Sequence, residues 1–412
     1  MTVSLTVHRG TQQIGGSCIE IAHPDGDRLI LDAGRPLDAP DGATGLLPTS
    51  LDRTRLANVL ISHPHQDHWG LVEEIPPAWP IWTGSGSAKL IAVTGDVTRR
   101  PLARTFETWD SRSGPFSIGP FIITPMLTDH SAFDAYMLVV ETAGKRILYT
   151  GDFRRHGRKS TLVDRMMAKP PADIDVLLTE GTNLGSDKPV KTEEEVERDF
   201  VELFKATKGR VFVSWSGQNI DRTVTLYRAA KRTNRTLAID LYVADVLDRI
   251  AEGTGLPRPG FPNLKVVVTR GLGSYYRSMG REGFVERMVP FGISAKKLVD
   301  SRHVIMLRRA LIGDYQRSGV VPTADDAYNF SMWRGYLSQP YHSEPLDWCK
   351  SAGASIAYIH TSGHASPADL RAFAAAVHPK MVVPVHGIKW DEESHGFGPV
   401  RRLADGETMV IP

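Results

Sequence analysis

The sequence predicts an α/β fold in which one domain is interrupted by an inserted second domain. Three observations predict it. Short apolar β-runs alternate with helical stretches along most of the chain. Acidic or imidazole residues stand directly after several of those runs, as an α/β active site at converging strand ends requires. These residues also fall into two groups, one before Thr182 and one at His364 and His386, far apart in the chain.

Composition agrees with this reading. At 412 residues and 41% hydrophobic content, the chain exceeds one typical domain and can bury an ordinary core, which excludes global disorder. No apolar run approaches the ~18 residues of a membrane span. The opening MTVSLTVHRG lacks the basic region and apolar block of a secretory signal. Two cysteines, Cys18 and Cys349, exclude a disulfide framework and a CxxC zinc cluster, while 14 histidines point to imidazole chemistry. The expected class is a cytoplasmic enzyme with no membrane partner.

In chain order, Ser4–His8, Cys18–Ala22 and Leu29–Leu31 read as strands, broken by turn pairs such as Asp25-Gly26. The strand Val59–Ile61 leads into a His-rich loop and a helix over Trp69–Ile75. Further strands are expected at Phe121–Thr124, Tyr136–Val140, Arg146–Tyr149, Val176–Thr179, Val211–Ser214, Ala238–Ile239, Lys265–Val268, Val304–Met306, Ile356–Ile359 and Met381–Pro384. Helices are expected at Thr192–Lys205, Ile220–Lys231, Leu241–Ala251 and Pro367–Val377, the last opened by the N-cap and N1 pair Ser366-Pro367. Surface-loop compositions at GTNLGSDKPVK and Tyr341–Ser351 place the first domain at 1–185, the insertion at 186–348 and the return of the first domain at 349–412.

Charge is balanced overall at +2, but Lys205–Arg317 holds 21 Lys/Arg against 9 Asp/Glu, a local net of +12. Such asymmetry within one chain suggests a polyanionic partner. A solvated basic surface is the plainer alternative.

The strongest motif is ISHPHQDHWG, with His63, His65, Asp67 and His68. Residues i and i+2 of an extended segment point the same way, so His63 and His65 can converge on one ion. Asp67 and His68 follow a turn and can face a second ion nearby. Zinc accepts N and O donors, and a bridging hydroxide fits between two such ions. Four ligands do not complete two sites, and later strand ends supply more: His130, Asp152 and His386. Asp32 ends an earlier strand and is expected to orient a ligand or loop rather than to touch metal. The HExxH pattern of metalloproteases is absent. His8, His156, His303 and His342 fall outside any ligand pattern.

These residues resemble the metallo-β-lactamase superfamily, whose ligand motifs HPHQDH, His130, Asp152 and His386 match in order. The resemblance implies an αββα sandwich of two mixed sheets with two metal ions at one edge. Three further segments resemble the β-CASP nuclease branch: LLTEGTN gives Glu180, IHTSGHAS gives His364 and PVHG gives His386. The insertion is then the β-CASP domain, and VFVSWSGQNIDR looks like the segment that opens it. The wording of SGHAS and PVHG is closest to ribonuclease J. Two departures stand out: only 26 residues follow His386, and the first extra motif carries Glu, as in the cleavage-and-polyadenylation type.

By resemblance, His63, His65 and His130 hold one zinc ion, Asp67, His68 and His386 hold the other, and Asp152 bridges them. Manganese suits the same donors. Hydroxide attack on a phosphodiester of single-stranded RNA would leave a 5′-phosphate, by exo- or endonucleolytic cutting. Asp67 and Glu180 join His364 in the implied catalytic set, with Glu180 fixing an imidazole and His364 contacting the scissile phosphate. The backbone of Thr361, Ser362 and Gly363 is expected to form a phosphate nest beside His364. Self-association into a homodimer is implied at the family level. A thioesterase, lactonase or β-lactamase would share the metal ligands but not the insertion, Glu180 or His364. A DNA-repair nuclease of the same branch would generally lack His386, and a non-catalytic nucleic-acid-binding subunit would have lost ligands.

Overall fold

The computed structural model describes residues 2–100, 102–299 and 302–412. The chain forms two compact units: Met1–Ala92, Leu102–Pro189 and Gly363–Pro412 make the first, and Val93–Pro101 and Val190–Ser362 the second.

The first unit is built on two mixed sheets. One runs in the order Thr408–Val410, Ser4–Arg9, Cys18–Ala22, Arg28–Leu31, Asn58–Ile61, Ile81–Gly84, Glu107–Trp109. The other runs Met381–Pro384, Val176–Thr179, Lys145–Tyr149, Tyr136–Thr142, Phe121–Leu127, Phe116–Ile118. Strand alternation decides how they stack. Leu5, Val7, Ile19, Ile21 and Leu60 of the first sheet share one buried cluster with Leu138, Val140, Ile147, Val176 and Val383 of the second. Between these residues, Met137, Val139, Leu148 and Leu177 point the other way and are buried under helices Ser160–Ala168 and Pro367–Val377. Ile30, Val59 and Ile61 are covered on their own outer side by Trp69, Leu71 and Ile91. The result is the αββα sandwich. Each fully buried Val or Leu stabilises it by roughly 1.5–3 kcal/mol.

The second unit holds a seven-stranded sheet in which every pairing is parallel: Gly292–Ile293, Leu264–Val267, Thr236–Asp240, His303–Met306, Val211–Ser214, Ala327–Phe330, Ser355–Ala357. Its helices start where capping chemistry says they should. Thr192 and Glu195 form a capping box on Glu193–Ala206, Asn219 caps Ile220–Arg232, and Asp240 caps Leu241–Ile250.

Three local expectations change. Tyr341–Ser351 is not a loop but most of the helix Pro340–Ser351, opened by a proline at its first position, where the missing N–H costs nothing. The second unit runs on to Ser362, past residue 348, because Ser355–Ala357 pairs with Ala327–Phe330. The helix expected over Trp69–Ile75 is instead a single turn, Gln66–Trp69, followed by a 3₁₀ turn at Val72–Glu74.

Candidate metal centre

The parallel strands Arg28–Leu31 and Asn58–Ile61 pair through Leu31 and Leu60, so Asp32 and the 62–68 loop leave the sheet at one edge. Asp32 turns the chain there with φ +61, a region that Asp tolerates better than most side chains. Its backbone N–H donates to Leu60 O at 2.8 Å. His65 is the extended residue before the turn Gln66–Trp69, which sets His63 and His65 on one side and Asp67 and His68 on the next. That turn is pressed against residues 33–35: Ala33 N–H donates to His68 O at 2.7 Å and Arg35 N–H to Gln66 O at 3.0 Å. Only a glycine fits between them, since a Cβ on Gly34 would stand 1.8 Å from Asp67 O.

The second sheet supplies the other side chains by the same device. Lys145–Tyr149, Val176–Thr179 and Met381–Pro384 are parallel neighbours, and Asp152, Glu180 and His386 follow them in turn. His386, like Asp32, has a left-handed backbone, at φ +49. His130 follows Phe121–Leu127.

Three sets of donor atoms converge, each within 4.8 Å: His63, His65, His130 and Asp152; Asp67, His68, Asp152 and His386; and Asp152, Glu180, His364 and His386. Asp152 is common to all three. Donors of one zinc ion stand about 3.4 Å apart at the ordinary bond length of ~2.1 Å, so these spacings suit a divalent cation. A second observation points the same way. His63 Nε2, His68 Nε2 and both carboxylate oxygens of Asp152 are buried and make no hydrogen bond among the described residues. Buried polar atoms of this kind are costly unless something binds them.

Four of the rings are held from behind, which decides which nitrogen faces inward. Nδ1 of His63 meets Ser62 Oγ at 3.0 Å, Nδ1 of His68 meets Asp32 Oδ2 at 2.6 Å, and Nδ1 of His130 donates to Gly363 O at 2.6 Å. Nδ1 of His386 meets Thr182 Oγ1 at 2.9 Å. His65 is reversed, its Nδ1 lying 3.1 Å from His130 Nε2. His364 Nδ1 lies 3.1 Å from Glu180 Oε2 and 3.7 Å from Asp152 Oδ2.

Charge follows geometry. Burial, reinforced by neighbouring imidazoles, holds His63 and His130 well below the usual histidine range and brings His65 down to about 4. Burial opposes charge on His68 and His364 too, but carboxylates win. Asp152, Asp32 and Asp67 hold His68 well above its usual value, and Glu180 and Asp152 push His364 up to about 9. Burial works against the Asp152 carboxylate as well, and the His386, His68 and His364 rings outweigh it and keep it ionised. The centre is thus a buried pocket of imidazoles and ionised carboxylates, a donor set that suits a divalent cation.

Of the four residues expected around a phosphate nest, Gly363 and His364 belong to the first unit and Thr361 and Ser362 to the second. Gly363 is committed through its carbonyl to His130, and Thr361 Oγ1 donates to Lys191 O at 2.6 Å. Sequence reasoning missed four supporting groups: Ser62, Tyr149, Thr182 and the carbonyl of Gly363. Asn183 was missed as well; it donates to the carbonyls of His364 and Ala365 at 3.0 Å each. Their one sequence signal is adjacency, because every one lies within three residues of a motif histidine or acid.

The chain is similar to several known proteins. Residues 12–182 match the metallo-beta-lactamase superfamily, and residues 353–389 match the Zn-dependent metallo-hydrolase RNA specificity domain. Ribonuclease J of Helicobacter pylori is 25% identical over 94% of this chain, and that of Mycobacterium tuberculosis 24% identical over 93%. The chain spans 56% of the length of the first and 68% of the second, so a little over half of the Helicobacter relative. A crystal structure of a protein of unknown function from Enterococcus faecalis V583 has the same fold, with a TM-score of 0.78 at 19% identity and full coverage of both chains. The chain therefore combines a metallo-β-lactamase domain with an RNA specificity domain and resembles ribonuclease J over most of its length. Among the described residues, no helix is long and apolar enough to cross a membrane.

Proposed function

We propose that this protein is a metal-dependent ribonuclease that hydrolyses phosphodiester bonds of single-stranded RNA and leaves 5′-phosphate ends. The carrying observation is the placement of His364 against Glu180 and Asp152, beside two ligand groups that share Asp152. A simple metallo-hydrolase needs the ligand groups. The added imidazole and acid are what a phosphodiester, with its bulky leaving group, calls for.

In this reading His63, His65 and His130 would hold one ion and Asp67, His68 and His386 the second, with Asp152 available to both. Zinc is the proposed metal, with manganese acceptable to the same donors. Bound divalent ions supply hydroxide near neutral pH and offset charge on the attacked phosphate. The chain's own residues do the rest. Asp32, Ser62, Thr182 and the Gly363 carbonyl keep four rings in fixed tautomers. Glu180 orients His364, which we assign to the scissile phosphate and to proton delivery at the departing 3′-oxygen. The net +12 of Lys205–Arg317 favours a polyanion over a small neutral ester. Self-association is proposed on the resemblance alone and is read by sedimentation.

The test compares 5′-monophosphorylated RNA, 5′-triphosphorylated RNA, single-stranded DNA and a chromogenic ester on one metal-loaded preparation. RNA cleavage with 5′-phosphate products is expected. Turnover of the ester with none of RNA would overturn the reading.

A further inference from the structure

Every exposed Trp, Tyr or Phe among the described residues lies within Trp333–Tyr358 of the second unit. Trp333 is 62% exposed, Tyr341 45%, and Tyr336 and Tyr358 40% each. Exposed hydrophobic residues scattered singly need no explanation, but a cluster does.

The cluster is held in place rather than left loose. Trp333 lies over Gly335, where a Cβ would stand 2.1 Å from the indole ring, so residue 335 must be glycine for the ring to lie as it does. The Trp333 ring meets Tyr336 edge-on with centroids 5.3 Å apart, and Tyr336 stacks on His342 at 5.3 Å. His342 meets Tyr341 at 5.1 Å and is anchored against the buried Phe330 at 6.1 Å. Tyr358 is fixed through its neighbour: Ile359 N–H donates to Asn329 Oδ1 at 2.7 Å, and Ile359 O accepts from Ser331 Oγ at 2.7 Å. The Arg334 guanidinium sits 4.2 Å over the Tyr358 ring. No carboxylate pairs with Arg334 among the described residues, and Ser331–His342 contains no Asp or Glu.

We infer that Trp333, Tyr336, Tyr341 and Tyr358, with Arg334, form a stacking platform for the unpaired bases of single-stranded RNA. Bases offer flat π faces and a phosphate chain, and the patch offers fixed rings and an uncompensated cation. An interface between protein chains draws on the same residue types, so the choice of RNA rests on Arg334, which no carboxylate pairs among the described residues, and on the excess of Lys and Arg in the same unit. The unit's basic stretch gives the matching charge. This inference rests on the proposed RNA substrate and adds a contact outside the metal centre.

The experiment measures binding of a short, fluorescently labelled single-stranded RNA to the full chain by anisotropy, in chelator so that nothing is cut. Trp333→Ala and Tyr358→Ala should each weaken binding about tenfold with little change in salt dependence, whereas Trp333→Phe should stay within about twofold. Arg334→Ala should lower the salt slope by about one charge. Inorganic polyphosphate, which has charge but no bases, should bind wild type and Trp333→Ala alike. Unchanged RNA affinity in both alanine variants overturns the platform. So does an equal loss for duplex RNA, or a change in sedimentation in place of a change in RNA affinity. If wild type cleaves RNA while the variants bind it normally, the platform alone falls. If wild type neither binds nor cleaves RNA, the proposed function falls with it.

Discussion

The Asp32 carboxylate oxygen that meets His68 Nδ1 at 2.6 Å also accepts the Tyr149 hydroxyl at 2.6 Å. Ser62 adds its hydroxyl to the same oxygen at 2.8 Å and its backbone N–H to the other at 2.7 Å. Asp32 is fully buried, so this network is rigid and desolvated. It aims His68 Nε2 at Asp152 Oδ2, 3.2 Å away. One acid thereby ties a strand end of the first sheet, the motif helix and a strand of the second sheet together.

Asp32→Asn should therefore lower metal affinity about 10- to 100-fold while leaving the fold intact. Asn accepts the left-handed backbone at this position and preserves volume, so the lost charge is isolated from steric change. Competition against a chromogenic chelator gives the affinity, and imidazole nitrogen shifts report the His68 tautomer. Tyr149→Phe should move both in the same direction by less.

Gly34→Ala should destabilise the protein by about 1–3 kcal/mol and weaken metal uptake, because the new Cβ lands on the Asp67 carbonyl. Gly283→Ala is the counterpart. That residue lies in the helix Glu282–Met288 with nothing within 4 Å of its Cβ position, and alanine there should stabilise by about 0.5 kcal/mol. Thermal unfolding of both variants checks the pair; equal shifts would contradict the packing described at Gly34.

Much of the site was legible in the sequence because metal chemistry leaves local marks. His63, His65, Asp67 and His68 declare themselves by spacing, and Asp152 and His386 by following apolar runs. What was hidden depends on pairings across long separations. Nothing near Gly363 says that its carbonyl will meet His130, 233 residues earlier, nor does Thr182 announce His386, 204 residues later. The strands Glu107–Trp109 and Phe116–Ile118 were invisible because three residues carry no period. Ala327–Phe330 was hidden by Asn329, a polar residue buried to hold the Ile359 backbone. Val211–Ser214 and Val176–Thr179, apolar but for a closing hydroxyl residue and covered on both faces, were read to the residue.

Acid sensitivity should map in part to Glu20. Arg28 donates to its two carboxylate oxygens at 3.0 and 2.6 Å, and His8 lies 3.2 Å away. Burial alone would raise the Glu20 pKa, but the hydrogen bonds from His8 and Arg28 outweigh it and lower the value from 4.5 to about 2. A folded-state value below the unfolded one means that the stabilisation is complete above pH 4.5 and fades as pH falls toward 2. Glu20→Gln should thus cost roughly 3 kcal/mol at neutral pH, with the gap to wild type closing across that acid window. Denaturant unfolding at a series of pH values measures it. A constant gap down to the acid limit would show that the pair is not the source.

Metal removal should separate cutting from attachment. The candidate ligands all lie in the first unit, whereas the +12 segment Lys205–Arg317 lies in the second, so the charge that attracts a polyanion does not depend on the ions. Chelation, His65→Ala and Asp67→Ala are each expected to abolish RNA cleavage while changing RNA affinity by less than about threefold. Salt should act on the other term. Cleavage at limiting RNA should fall steeply between low and moderate ionic strength, because each displaced counterion adds to the slope, while turnover of a neutral ester should hardly change. Parallel titrations with sodium chloride measure both slopes on one preparation. Equal slopes would mean that the basic segment takes no part in holding RNA.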